Sequence, residues 1–227
     1  MTEIRPFAIA LFAPALVLGP LTQVGGIVVT RDDLADEYYT EEPPFSLGGR
    51  TWFGVFTERD SSWLELATPE WVREGSQEDR VFRLSTGERA PILLLADVPG
   101  VGERAAVTAA EFTTTLSDRE SMEVSVGGTI YSLTVRPFTP PECGATISLS
   151  DGRGSQEIYS TRDGEFGCDE PHFSVHWAGD LDGDNRLDLV TTFSAKYSYH
   201  PRRVYLSSAA GPGQILSQVA FFDGSAS

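Results

Sequence analysis

The chain has 227 residues, 41% of them hydrophobic and 11% aromatic, and it carries 33 acidic against 17 basic side chains for a formal net charge of −16. That is enough apolar material for one large or two small domains with a buried core. The charge excludes a nucleic-acid partner, because phosphate recognition needs a basic face; it suits cations and basic partners, or simply solubility.

At the N-terminus Arg5 precedes an apolar run from Phe7 to Leu18. The run is too short to span a bilayer comfortably and fits the apolar stretch of a secretory signal. Residues 1–26 are therefore expected to be a signal peptide. The mature chain would then be periplasmic or secreted, with no stable membrane span after processing. Lipoprotein attachment is excluded, since no cysteine lies near the run.

Downstream, segments are short, rich in β-branched and aromatic residues, and separated by Gly, Pro, Asp and Ser. That pattern predicts an all-β fold. Strands are expected at Ile27–Thr30, Thr51–Phe56 and Trp63–Ala67, with Trp71–Arg73 continuing the third after Pro69. Further strands are expected at Val81–Leu84, Pro91–Asp97, Met122–Val126 and Thr129–Val135, the last two joined by a Gly127-Gly128 hairpin turn. Pro137, Pro140 and Pro141 interrupt strand pairing and mark a border. Residues 27–137 are thus expected to form one β module. Residues 142–223 form a second, an antiparallel sheet with strands at Ala145–Ser150, Glu157–Thr161, Phe173–Trp177, Leu187–Phe193, Val204–Leu206 and Val219–Phe221. Trp52, Trp63 and Trp71 lie close in sequence on expected strands, where the alternation of faces favours core packing over sugar binding.

The chemistry concentrates in one loop, Asp180-Leu181-Asp182-Gly183-Asp184-Asn185-Arg186-Leu187-Asp188. Carboxylates at every second residue repel one another unless they converge on a cation. Calcium is the natural candidate, since it takes six to eight oxygen ligands in flexible geometry. Asp180, Asp182 and Asp184 can curl around one point if the backbone turns at Gly183 and Asn185, both of which tolerate left-handed conformations. Arg186 would offer its carbonyl with its side chain turned out, and Asp188 would close the far side. Leu181 and Leu187 would anchor the loop to the core. An EF-hand is excluded, because position twelve is Thr191 rather than Glu and the flanks read as strands.

The stretch Trp177-Ala-Gly-Asp180-Leu-Asp182-Gly-Asp184-Asn-Arg-Leu-Asp188-Leu-Val190 resembles the FG-GAP or VCBS-type repeat, the calcium-binding β-hairpin of integrin α-chain propellers and many bacterial secreted proteins. The resemblance covers about residues 173–193. It implies calcium ligands at Asp180, Asp182, Asp184, the Arg186 carbonyl and Asp188. No second copy of the loop occurs, so a multi-bladed propeller is excluded.

The two cysteines, Cys143 and Cys168, are expected to form one disulfide in an exported protein. Gly100-Val-Gly102 follows an apolar segment but lacks the βαβ alternation of a dinucleotide site, and reads as a Pro-Gly turn. His172 and His176 would lie well apart along a strand, and His200 in a loop; none has metal-site spacing. Adjacent acids such as Asp32-Asp33 are expected to be solvated. Tyr197, Tyr199 and Tyr205 with Arg202 and Arg203 hint at a binding surface for a protein or glycan partner. The expected function is an exported calcium-binding β protein that serves interaction or scaffolding. The alternative is a secreted glycan- or ester-directed hydrolase stabilised by calcium. A third reading is a toxin- or immunity-like module meeting a basic partner.

Overall fold

A computed structural model describes residues 26–35, 43, 45–58, 61–74, 81–102, 109–110, 114–116, 120–139, 143–163 and 169–223. The expected signal peptide, apart from Gly26, and Cys168 lie outside the described residues. Among the described residues no helix is long and apolar enough to cross a membrane.

In chain order the elements are β1 (Ile27–Thr30), α1 (Arg31–Ala35), β2 (Trp52–Glu58), β3 (Ser61–Ala67), β4 (Glu70–Glu74), β5 (Val81–Ser85), β6 (Leu93–Ala96), β7 (Ala109–Ala110), β8 (Thr114–Thr115), β9 (Ser121–Val126) and β10 (Thr129–Pro137). There follow β11 (Ala145–Ser150), β12 (Ser155–Ser160), β13 (His172–Gly179), β14 (Asp188–Ser194), β15 (Arg202–Leu206) and β16 (Ser217–Phe222). The protein is all-β, with antiparallel sheets that form neither a closed barrel nor a propeller among the described residues. The first sheet runs β1-β6-β2-β3 and the central sheet β16-β15-β14-β13, with short β7 and β8 both paired to β13. The third sheet runs β12-β11-β10-β9, and β4 and β5 form a separate hairpin. Trp71 therefore belongs to that hairpin rather than continuing β3: Pro69 ends the one pairing, and Trp71 opposes Leu84 of β5.

Apolar contacts stack the sheets in three layers. On one face of the central sheet Trp177, Val190, Val204 and Ala220 join Val28, Val55, Leu93 and Leu95 of the first sheet. On the other, Phe173, Leu189, Phe193 and Tyr205 join Val124, Leu133, Ile147 and Leu149 of the third. Every residue of β14 is buried, as a strand covered on both faces must be. Each such large apolar side chain contributes about 1.5–3 kcal/mol of transfer free energy.

One irregularity decides which face each side chain meets. Val175 opposes Thr191 but Trp177 opposes Val190, so His176 is an extra residue in β13. A bulge of this kind shifts the alternation by one. Val175 consequently packs toward the third sheet while Trp177, two residues on, packs toward the first. The alternation of faces along β13 is thus interrupted at His176.

The border expected near Pro137 falls inside a sheet. β10 pairs with β11 from Ser132↔Ser150 to Pro137↔Ala145, so strands from both sides of it share one ladder. Cys143, beside that connection, is not a free thiol.

Candidate metal centre

The acidic loop joins β13 to β14, and its two leucines explain its position. Leu181 is fully buried in the core toward the first sheet, and Leu187 is fully buried in the core toward the third. The loop is thus pegged on both faces of the central sheet, with the polar residues between the pegs left to face one another. Gly183 (φ 81°) and Asn185 (φ 63°) make the turns from left-handed conformations, the backbone state glycine and asparagine tolerate best.

Backbone N–H groups fix the carboxylates. Asp180 Oδ1 accepts from the Gly183 and Asp184 amides at 2.6 and 3.0 Å, and its Oδ2 from the Asn185 amide at 3.1 Å. Asp188 Oδ2 accepts from the Leu181 and Asp182 amides at 2.7 and 3.3 Å. Asp188 Oδ1 accepts from the Ser207 amide at 2.8 Å and its hydroxyl at 3.3 Å. Asp182 accepts from the Asp184 amide and from the Ser208 hydroxyl. These bonds orient the carboxylates of Asp180, Asp182 and Asp188 so that one oxygen from each lies within 4.8 Å of the others, and all three residues are buried. The donor set is oxygen only, which suits a hard cation and not zinc or copper.

The electrostatics carry the mark of crowded negative charge. Burial, opposed by the Ser207 and Leu181 amides but reinforced by the Asp182 and Asp184 carboxylates, pushes Asp188 up to about 7. Asp184 stands apart from the buried trio. Burial is the largest single influence and raises it, but the Ser207 hydroxyl and the Arg186 amide and guanidinium together outweigh that and hold it below the usual carboxylate range. The Arg186 side chain, expected to turn out, instead folds back: Nε and Nη2 lie 2.9 and 2.6 Å from Asp184 Oδ2.

Three further segments wall the site, none of them read as part of it from the sequence. Ser207 and Ser208 follow β15, whose pairing Leu189↔Tyr205 carries the chain past Asp188. The Pro99-Gly100 turn packs on Asp182: a Cβ on Gly100 would lie 3.6 Å from the Asp182 Cβ. The β9–β10 turn touches the loop's outer side, where a Cβ on Gly127 would lie 1.9 Å from the Asn185 carbonyl oxygen. The two glycine turns were legible as turns; where they pack is a matter of sheet stacking.

The other sequence candidates sit elsewhere. The Tyr and Arg residues after β14 do not form one exposed surface. Tyr205 is buried, and burial raises its hydroxyl's pKa well above the ordinary tyrosine value. Arg203 lies between the rings of Tyr159 and Phe221 at 5.1 and 5.0 Å, Arg202 is buried, and Tyr197 is largely exposed. Nor is Asp33 a solvated loop acid. It caps α1, accepting from the Thr30 amide at 2.8 Å, and it pairs with Arg202. The Thr30/Asp33 spacing is that of a reciprocal capping pair, a signal present in the sequence. Trp52 is buried, and its Nε1 donates to the Leu47 carbonyl at 3.1 Å, as core packing requires.

Comparison of the chain with protein-family models, with curated proteins and with solved structures finds no match. The likeness of residues 173–193 to an FG-GAP repeat therefore rests on the loop's own residues.

Proposed function

We propose that this is an exported β protein whose acidic loop binds one calcium ion as a structural clasp, and that its role is interaction or scaffolding rather than catalysis. The observation that carries the reading is the convergence of the buried Asp180, Asp182 and Asp188 carboxylates within 4.8 Å. Like charges so close and so desolvated repel, and a divalent cation is the countercharge that offsets both effects. Asp184 and the Arg186 carbonyl complete the ligand set if Asp184 exchanges its bond to the Arg186 guanidinium for the ion. A Cys143–Cys168 bridge belongs to the same reading, because disulfides and millimolar calcium coexist outside the cytoplasm. An exported loop of this kind binds with a Kd of about 10⁻⁴–10⁻³ M.

The test is a thermal melt in calcium against chelator. Calcium at about 100 times its Kd stabilises the fold by about 2.7 kcal/mol, which for a chain of this size raises Tm by roughly 5–10 °C. Asp182→Ala removes that rise. An unchanged midpoint in the native chain at about 100 mM calcium, at least 100 times that Kd, overturns the proposal.

A further inference from the structure

From Val204 to Phe222 the sequence holds no charged residue, yet part of this stretch bonds directly to the acidic loop. β14 and β15 pair at Leu189↔Tyr205, so the chain leaving β15 passes Asp188, and β16 returns with Ser217 opposite Leu206. Residues 207–216 are therefore the connection of a hairpin. Tyr205 and Leu206 are buried, which fixes where that connection starts. Ser207 is buried as well, and Ser208 is exposed.

The near end of the connection is bound to the carboxylates. The Ser207 amide donates to Asp188 Oδ1 at 2.8 Å, and the Ser207 hydroxyl oxygen lies 2.8 Å from Asp184 Oδ2 and 3.3 Å from Asp188 Oδ1. A hydroxyl carries one proton, so this oxygen bonds one carboxylate at a time while keeping both beside it. Asp184 is thereby held next to the buried trio although it is not one of them. The Ser208 hydroxyl donates to Asp182 Oδ2. A different group holds the far end. Gln156 Oε1 accepts from the Ile215 and Leu216 amides at 2.6 and 2.9 Å, and its Nε2 donates to the Leu216 carbonyl at 2.8 Å. Between the two anchors Ala209, Pro212, Gly213 and Gln214 are exposed.

We infer that Ser207 and Ser208 are positioning residues of the calcium site, and that the ion in turn secures the β15–β16 connection; the inference rests on the calcium reading above. The cation site is then built from two segments distant in sequence, the β13–β14 turn that carries the carboxylates and the start of the connection that aims them. Groups that hydrogen-bond to a metal's ligands fix their orientation and strengthen binding. Without a cation the crowded carboxylates repel, which strains the serine bonds. With one bound, the carboxylates are fixed, and so are the donors attached to them. Such coupling is reciprocal: what the serines add to ion binding, the ion adds to the order of the connection. The exposed stretch 208–214 is the part of the surface that responds to occupancy of the buried site.

Calcium titration of the full chain tests this, with Kd read from the rise of Tm with concentration. Ser207→Ala is expected to weaken binding about 10- to 100-fold, and Ser208→Ala about tenfold. Ser207→Thr restores the hydroxyl and most of the affinity. Ser208 is exposed, so its variant reads the same property should Ser207→Ala not fold. Gln156→Ala frees the opposite end of the connection and is expected to leave Kd within about twofold. Amide exchange supplies the reciprocal reading: calcium is expected to raise the protection of residues 207–211 about tenfold in the native chain, and by less in Ser208→Ala. No calcium response in the native chain overturns the calcium reading and this inference with it. A native response that the serine-to-alanine variants leave within about twofold overturns this inference alone. So does a loss in Gln156→Ala as large as theirs, which marks a general loosening of the connection.

Discussion

The two ends of one hairpin solve opposite electrostatic problems. At the β13–β14 turn, carboxylates from nine consecutive residues crowd together, and backbone amides hold them in place. Toward the other end, basic side chains from β13, β15 and the β14–β15 connection meet the Asp33 carboxylate of α1. Both ends rest on the same buried strands, so neither set of charges can relax by moving apart. The acidic end is offset by an ion from outside under the proposed function, whereas the basic end is offset by an ion pair from within. Charge that is local in sequence calls for a ligand; charge gathered by the fold is matched by the fold.

Breaking the internal pair gives the largest effect. Arg202→Ala leaves Asp33 partly buried without its guanidinium and is expected to cost about 3–5 kcal/mol, read as a lowered denaturation midpoint at unchanged slope. It exceeds the loss on chelating calcium, about 2.7 kcal/mol, because a partner is deleted rather than withheld.

The walls of the acidic end come next. Gly127→Ala sets a Cβ against the Asn185 carbonyl and is expected to cost about 1–3 kcal/mol, with weaker calcium binding by titration. Gly128→Ala meets nothing within 4 Å, although its φ is +79°. It carries only the backbone strain of about 1–2 kcal/mol and leaves the calcium midpoint where it was. Equal calcium midpoints in the two variants would detach the β9–β10 turn from the site.

The pH dependence sharpens the contrast most, because the two ends have opposite pH slopes. In chelator, Asp188 is raised to about 7. Its favourable share of stability is present below the unfolded value near 3.8 and is lost as pH rises through 7. His176, depressed to about 4, loses its share as pH falls from 6.5. The chelated protein is therefore expected to show a flattened Tm profile between pH 4 and 7. Saturating calcium, which holds Asp188 ionised, removes its slope and leaves Tm rising with pH over that interval. Identical profiles with and without calcium would separate Asp188 from the ion.

Much of this was legible from the chain. Strand positions followed from runs such as Val124–Val126 and Ile147–Leu149, because a pleated strand has a fixed period of two. The acidic loop was legible because its carboxylates, its turn residues and its anchoring leucines are contiguous. The His176 bulge was not, since an extra residue in one strand is defined only by its partner, here Thr191 and Val190 of β14. The nearness of the three histidines to Arg202 was hidden for the same reason: on an isolated strand His172 and His176 are simply separate. Asp33 read as one of many solvated acids until Arg202 arrived from the far end of the chain.

The sequence by itself determined the all-β class, the hairpin turns and the nine-residue acidic loop, since each depends on the chemistry and period of neighbouring residues. The tertiary structure decided that the central sheet is covered on both faces, that Ser207, Ser208, Gly100 and Gly127 enclose the loop, and that the histidines lie near Arg202. Those outcomes depend on which strands pair and which faces stack. Pairing and stacking are set by the burial of apolar side chains summed over the whole molecule, a quantity no local stretch of sequence contains.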